Sequence, residues 1–169
     1  MVYNFRLLKN YLLTRLFFRS ARLIRFPLWL NCNAKVLDKT GFTCGRDLRV
    51  DIHIGGDLSI GRDLEINDNC QISCGEQIII GDNVLIASKV FITDHDHKFD
   101  LKNGPKKKEI HSKPVFIGNN VWIGNGCSIL KGSYIAEGSI IGAGSVVTGK
   151  LAEPGIYAGV PCKKIRNIK

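Results

Sequence analysis

From Val36 onward an apolar residue returns at every sixth position: Val36, Phe42, Leu48, Ile54, Ile60, Ile66 and Ile72. After a two-residue slip the beat resumes at Ile80, Ile86 and Ile92, and it returns at Ile117, Ile123, Ile129, Ile135, Ile141 and Val147. A period of six matches neither the 3.6 of an amphipathic helix nor the 2 of a half-buried strand. It suits a chain that turns a corner every six residues and sends one aliphatic side chain inward from each side. Three sides make a triangular coil of about 18 residues, and successive coils stack at the strand spacing of about 4.8 Å. Each coil buries its apolar row only against its neighbours, so stability comes from stacking. A second small or apolar residue follows four positions later, as at Leu58, Leu64, Cys70, Val84, Val90, Val121 and Cys127. The expected class is all-β, a parallel solenoid over residues 35–152, followed by a tail at 153–169.

The beat breaks most widely between Ile92 and Ile117, where 24 residues (93–116) leave the scaffold as an extended loop. Excursions of that length from a regular frame are frequent sites of function. This one opens with TDHDHKFD, two histidines and three aspartates within eight positions, and continues through Gly104-Pro105 to Lys106, Lys107 and Lys108.

Charge is distributed unevenly. The net charge is +9, yet no acid precedes Asp38, whereas seven of the 24 Lys and Arg do (Arg6, Lys9, Arg15, Arg19, Arg22, Arg25 and Lys35); the remaining 17 nearly balance the 15 acids. A nearly neutral body argues against a nucleic-acid-binding one. Residues 1–34 form a separate basic segment, helical over 1–26, with Phe5, Leu8, Leu12, Leu16, Phe17 and Leu23 interleaved with arginines and Pro27 ending it. Two roles are open to it: an amphipathic helix lying on an anionic membrane surface, or a cap over the open apolar end of the solenoid. It is too charged to span a bilayer and lacks the h-region and cleavage site of a signal peptide.

Six cysteines (Cys32, Cys44, Cys70, Cys74, Cys127 and Cys162) include no CxxC pair, and several fall at interior positions of the repeat. Reduced, buried thiols and a cytoplasmic protein, peripheral to the inner face of the membrane if the N-terminus anchors it, are expected.

The stretches IGDNVLIASKVFITDHDH, KPVFIGNNVWIGNGCSIL, IIGAGSVVT and AGVPCKKIR, in that order, cover most of residues 54–168. Together they resemble the hexapeptide-repeat acyltransferases, within them the maltose/galactoside and surface-polysaccharide O-acetyltransferase branch. The resemblance implies a left-handed parallel β-helix and a homotrimer with active sites between subunits. It implies acetyl-CoA as co-substrate with no metal required, and a sugar or glycan hydroxyl as acceptor. In that pattern a histidine general base falls on His97, with Asp94 among the carboxylates able to orient it and His95 and Asp100 beside the acceptor. An acceptor-binding asparagine falls on Asn67, with Asn69 its near neighbour; a polar ladder at the coil corners is the structural alternative for both. The cofactor contacts fall on Trp122, Asn125, Ala143, Thr148, Lys163 and Arg166, with Lys150 displaced one place by Gly149 from the lysine usual after the threonine. Imidazole suits the chemistry, since it can take the proton of an attacking alcohol near neutral pH.

Other readings remain open from the residues. His95, His97 and His111 are enough imidazoles for a γ-class carbonic anhydrase-like zinc site. A nucleotide-sugar N-acetyltransferase would share fold and cofactor, and a non-catalytic envelope scaffold would use the solenoid as a surface. Trp122, the small-residue track and AGVPCKKIR favour acetyl transfer over zinc hydration.

Overall fold

The computed structural model describes residues 23–24, 28–32, 35–40 and 42–168, with side chains described from 42 onward apart from that of Lys108. These residues build an all-β, left-handed parallel β-helix. Three parallel ladders form its faces. The first face runs from Leu23–Ile24 through Thr43–Cys44, Glu65–Ile66, Leu85–Ile86, Trp122–Ile123 and Ile140–Ile141 to Ile156–Ala158. The second runs from Leu28–Cys32 through Leu48–Ile52, Gln71–Cys74, Phe91–Thr93 and Ser128–Ile129 to Val146–Val147. The third runs from Lys35–Thr40 through Asp57–Arg62, Gln77–Ile80, Val115–Ile117 and Tyr134–Ile135 to Lys150–Leu151.

The expected inward columns are the core. On the first face Cys44, Ile66, Ile86, Ile123, Ile141 and Tyr157 lie in register and are buried. Val50, Ile72, Ile92, Ile129 and Val147 do the same on the second, and Ile60, Ile80, Ile117, Ile135 and Leu151 on the third. Each aliphatic side chain withdrawn from water in this way contributes about 1.5–3 kcal/mol. Corners are turned by residues in the left-handed region: Asp47, Asp63, Asn69, Asn83, Lys89 and Asn120 early, Gly126, Gly132, Gly138 and Gly144 late. The shift to glycine accompanies the shortest coils.

Coil length departs from a uniform 18. Along the first face successive rungs are 22 residues apart from Thr43 to Glu65 and 20 from Glu65 to Leu85. They are 37 apart from Leu85 to Trp122, 18 from Trp122 to Ile140 and 16 from Ile140 to Ile156. The early coils are longer because their strands are longer, five residues at Leu48–Ile52 and six at Asp57–Arg62 against two in most later rungs. Within them the period is two, so Leu48, Val50, Ile52, Leu58 and Ile60 are all buried. Ile54, expected inside on the six-residue beat, is instead 86% exposed at the turn between these strands.

Two boundaries move. The β-helix reaches back to Leu23, because Leu23–Ile24 pairs with Thr43–Cys44 and Leu28–Cys32 with Leu48–Ile52. Residues 23–24 and 28–32, assigned above to the basic segment 1–34, therefore supply strands of the first coil; the rest of the helix expected over 1–26 lies outside the described residues. The tail begins as a seventh rung of the first face, Ile156–Ala158, and folds back antiparallel as Lys163–Arg166. The excursion after Ile92 is a β-hairpin, His95–Asp100 paired antiparallel with Gly104–Ser112.

Candidate active site

The hairpin leaves the second face at Asp94. At the strand ends of the parallel ladder a backbone amide donates to a carbonyl one coil further on, as from His53 to Cys74 (2.9 Å). Where the chain swings out into the hairpin, the amides of Gly75, Glu76 and Gln77 lose that partner. The Asp94 side chain replaces it: Oδ1 accepts from Gly75 N (2.7 Å), and Oδ2 from Glu76 N (2.8 Å) and Gln77 N (2.7 Å). Asp94 is wholly buried, and three amide donors are what allow a carboxylate to sit there. Burial, followed by the neighbouring Asp94 charge, pushes the Cys74 thiol up to about 12, so it stays a thiol.

Asp94 Oδ1 has one further partner, His95 Nδ1 at 2.8 Å. A carboxylate only accepts, so Nδ1 carries the proton and Nε2 keeps its lone pair. The His95 side chain is 13% exposed and lines a cavity of about 420 Å³ together with Ser73, Phe91, Thr93, Leu130 and Thr148. His97 and Asp96 line the same cavity from the hairpin, but His97 is exposed, and among the described residues no hydrogen bond fixes its ring. The oriented imidazole is therefore His95 and not His97, on which the base was expected. The reason is local: Asp94 turns inward at the root of the hairpin and reaches its immediate neighbour.

Lys131 completes the wall. Asp96 and His111 face each other across the hairpin, and Lys131 Nζ from the next coil lies 2.7 Å from Asp96 Oδ1 and 3.0 Å from His111 Nδ1. Hydrogen bonding to this ammonium holds the Asp96 carboxyl below its usual range. An ammonium only donates, so His111 Nδ1 accepts, and the zinc reading loses that nitrogen; His95 Nδ1 is likewise occupied. Among the described residues no three His, Cys, Asp or Glu gather as metal ligands.

The remaining expected residues divide by corner. Asn67 follows the first face and stacks in the column that continues through Ala87, Gly124 and Gly142, each amide donating to the next coil. Asn125 and Ala143 lie one place further along the same corner, and Gly144 N donates to Asn125 O (2.8 Å). A Cβ on Gly124 would sit 2.6 Å from Ala143 N, so this corner is bare by necessity. Among the described residues no carbonyl accepts the amide of Asn125 or Ala143, which leaves two donors on an open track. Trp122, 49% exposed, stands beside it. Lys163 pairs with Ala158 where the track ends, with Arg166 further along the same strand. Thr148 is elsewhere, in the His95 cavity, and Lys150 is on the third face, its Nζ 5.2 Å from the Tyr134 ring. Asn69 forms a corner, at φ +60°, and Asp100 Oδ1 caps the hairpin turn through the amides of Lys102 and Asn103. The corner ladder expected as an alternative for the asparagines is made by their neighbour, Asp68 Oδ1, which accepts from Arg46 N (2.7 Å). Gly75, Phe91 and Lys131 were not anticipated; the only trace was the slip of the repeat at Cys74–Ile79.

Residues 114–149 match the family described as "Bacterial transferase hexapeptide (six repeats)". No curated protein sequence matches the chain. Among solved structures, a maltose O-acetyltransferase from Clostridium difficile 630 is 29% identical, with a TM-score of 0.69 over 95% of this chain and 75% of that one. A galactoside acetyltransferase in complex with coenzyme A is 31% identical, with a TM-score of 0.64 over 95% of this chain and 70% of that one. A polysialic acid O-acetyltransferase is 26% identical, with a TM-score of 0.59 over 83% of this chain and 74% of that one.

Proposed function

Because the chain belongs to the hexapeptide-repeat acetyltransferases, we propose that it moves an acetyl group from acetyl-CoA to a sugar hydroxyl, with His95 as general base. The observation that carries this reading is the buried Asp94 carboxylate 2.8 Å from His95 Nδ1 at the edge of the cavity. His95 Nε2 takes the hydroxyl proton as the oxygen attacks the thioester carbonyl; the carbon–sulfur bond then breaks, and the proton passes to the departing sulfur. Asp94 stabilises the imidazolium between those two transfers. No enzyme nucleophile is required, in keeping with thiols at Cys70, Cys74 and Cys127 that burial pushes up.

The bare track beside Trp122 suits the pantetheine arm, whose amides and carbonyls match free backbone groups, and Lys163 and Arg166 suit the phosphates. Track and cavity lie at different corners of one chain. A second copy presenting its track to the His95 cavity would complete the site, which is the reason we favour a homotrimer. Likeness to enzymes of maltose, galactoside and polysialic acid supports a sugar or surface-glycan acceptor. The basic segment 1–26 would hold the enzyme against an anionic membrane near a lipid-linked glycan; retention on anionic but not neutral vesicles tests this.

The deciding experiment is thiol release from acetyl-CoA across a panel of sugars for the unaltered protein, His95→Ala and His97→Ala. Sugar-dependent release that falls at least a hundredfold in His95→Ala, with CoA binding retained and His97→Ala near normal, is the expected result. Release that collapses only in His97→Ala returns the base to His97. No release with any sugar defeats the acetyltransferase reading.

A further inference from the structure

At the edge where the second face ends, three successive coils present His53, Gly75 and His95 one above another. The His53 amide donates to Cys74 O (2.9 Å), and the Gly75 amide to Asp94 (2.7 Å). Positions two coils apart are separated by about 9.6 Å, so their side chains meet only if the residue between them has none and both lean inward. Gly75 supplies the gap: a Cβ there would lie 3.0 Å from His95 Nδ1 and 3.2 Å from its Cγ. Across it the rings of His53 and His95 meet edge to face, with centroids 4.8 Å apart and planes at 81°. His53 is exposed and lies outside the residues lining the cavity, so neither burial nor the proposed chemistry accounts for the contact.

We propose that His53 is a positioning residue for His95. The Asp94 bond fixes the imidazole at one atom, about which the ring can still swing. A planar contact on the ring removes that freedom and keeps Nε2 directed at the cavity while Nδ1–H stays on the carboxylate. The inference rests on the reading of His95 as the base.

The test compares His53→Ala and His53→Phe by steady-state kinetics and by nitrogen-edited NMR of the histidine ring protons. His53→Ala is expected to lose about tenfold in kcat with both KM values unchanged, and His53→Phe, which keeps a ring in place, to recover most of it. The His95 Nδ1–H resonance is expected to persist in the unaltered protein and in His53→Phe, and to broaden through water exchange in His53→Ala. Unaltered kcat or an unaltered resonance in His53→Ala overturns the proposal, as does an equal loss in both variants. The NMR readout needs no turnover. A protein that acetylates nothing yet protects this proton only when a ring stands at position 53 defeats the proposed function and upholds the positioning.

Discussion

Asp94 and His95 are consecutive in the chain yet lie on opposite sides of the wall, the carboxylate wholly buried and the imidazole at the cavity, 2.8 Å apart. Asp94→Asn keeps the shape but presents an NH₂ to amides that need an acceptor. It is expected to cost about 3 kcal/mol of stability in denaturant unfolding and to lower kcat by two orders of magnitude or more, because the ring loses its fixed tautomer.

Gly75→Ala places a methyl group 3.0 Å from both His95 Nδ1 and Ile110 Cδ1. Something must give by a few tenths of an ångström, and the hairpin-root side chains are the movable party. Expected is a kcat loss of about tenfold or more with a Tm drop of a few degrees. Normal kcat would mean that the ring tolerates displacement.

The register of the early coils is tested by a pair of substitutions. Ile54→Ser should leave unfolding free energy within about 0.5 kcal/mol, since the side chain is already in water. Ile52→Ala, two residues earlier and buried, should cost about 2–5 kcal/mol. Had the six-residue beat ruled this coil, the Ile54 change would be the severe one.

Cys74 gives the fold an alkaline signature. Its pKa is raised from the ordinary thiol value of 9.0 to about 12, so the folded state prefers the protonated form. That preference is fully present below pH 9 and is lost as pH rises from there toward 12. Stability measured across this window should fall less steeply in Cys74→Ala than in the unaltered chain, whatever the cavity costs at neutral pH.

Lys131 clasps both strands of the hairpin through Asp96 and His111. Lys131→Met should accelerate amide exchange over 95–112 while leaving the coils protected, with global stability changed by less than about 1 kcal/mol. The Asp96 carboxyl is held low by Lys131, so the clasp is present above the ordinary carboxyl range and is lost as pH falls below it. Protection of the hairpin amides, referred to the intrinsic exchange rate at each pH, should therefore fall in acid in the unaltered protein and stay level in Lys131→Met.

The solenoid was legible because stacking forces one aliphatic residue per side into a shared column, and Ile117, Ile123, Ile129 and Ile135 repeat without interruption. Ile54 misled because early strands of five and six residues bury by alternation, which a six-residue count mimics by coincidence. The track was legible for the same reason as the core: Asn125 and Ala143 are one regular coil apart. The base was not. A histidine two places along a strand has the same parity, so periodicity cannot separate His95 from His97; what separates them is Asp94 turning inward to serve amides orphaned by the departing hairpin. His53, Gly75 and His95 lie 22 and 20 residues apart, a spacing set by coil lengths that only the register reveals.

The unequal coils also decide where this protein can change length. Between Trp122 and Val147 every rung is in an 18-residue frame, and a single inserted or deleted residue would slide Trp122, Asn125 and Ala143 out of line while emptying a column of the core. Between Asp94 and Lys113, whose backbones are joined by one hydrogen bond of 2.8 Å, the chain answers to no frame. Residues can be gained or lost in that hairpin with both ends still anchored. Drift in length is thereby channelled onto the hairpin wall of the His95 cavity, and the bare corner at Asn125 and Ala143 is spared.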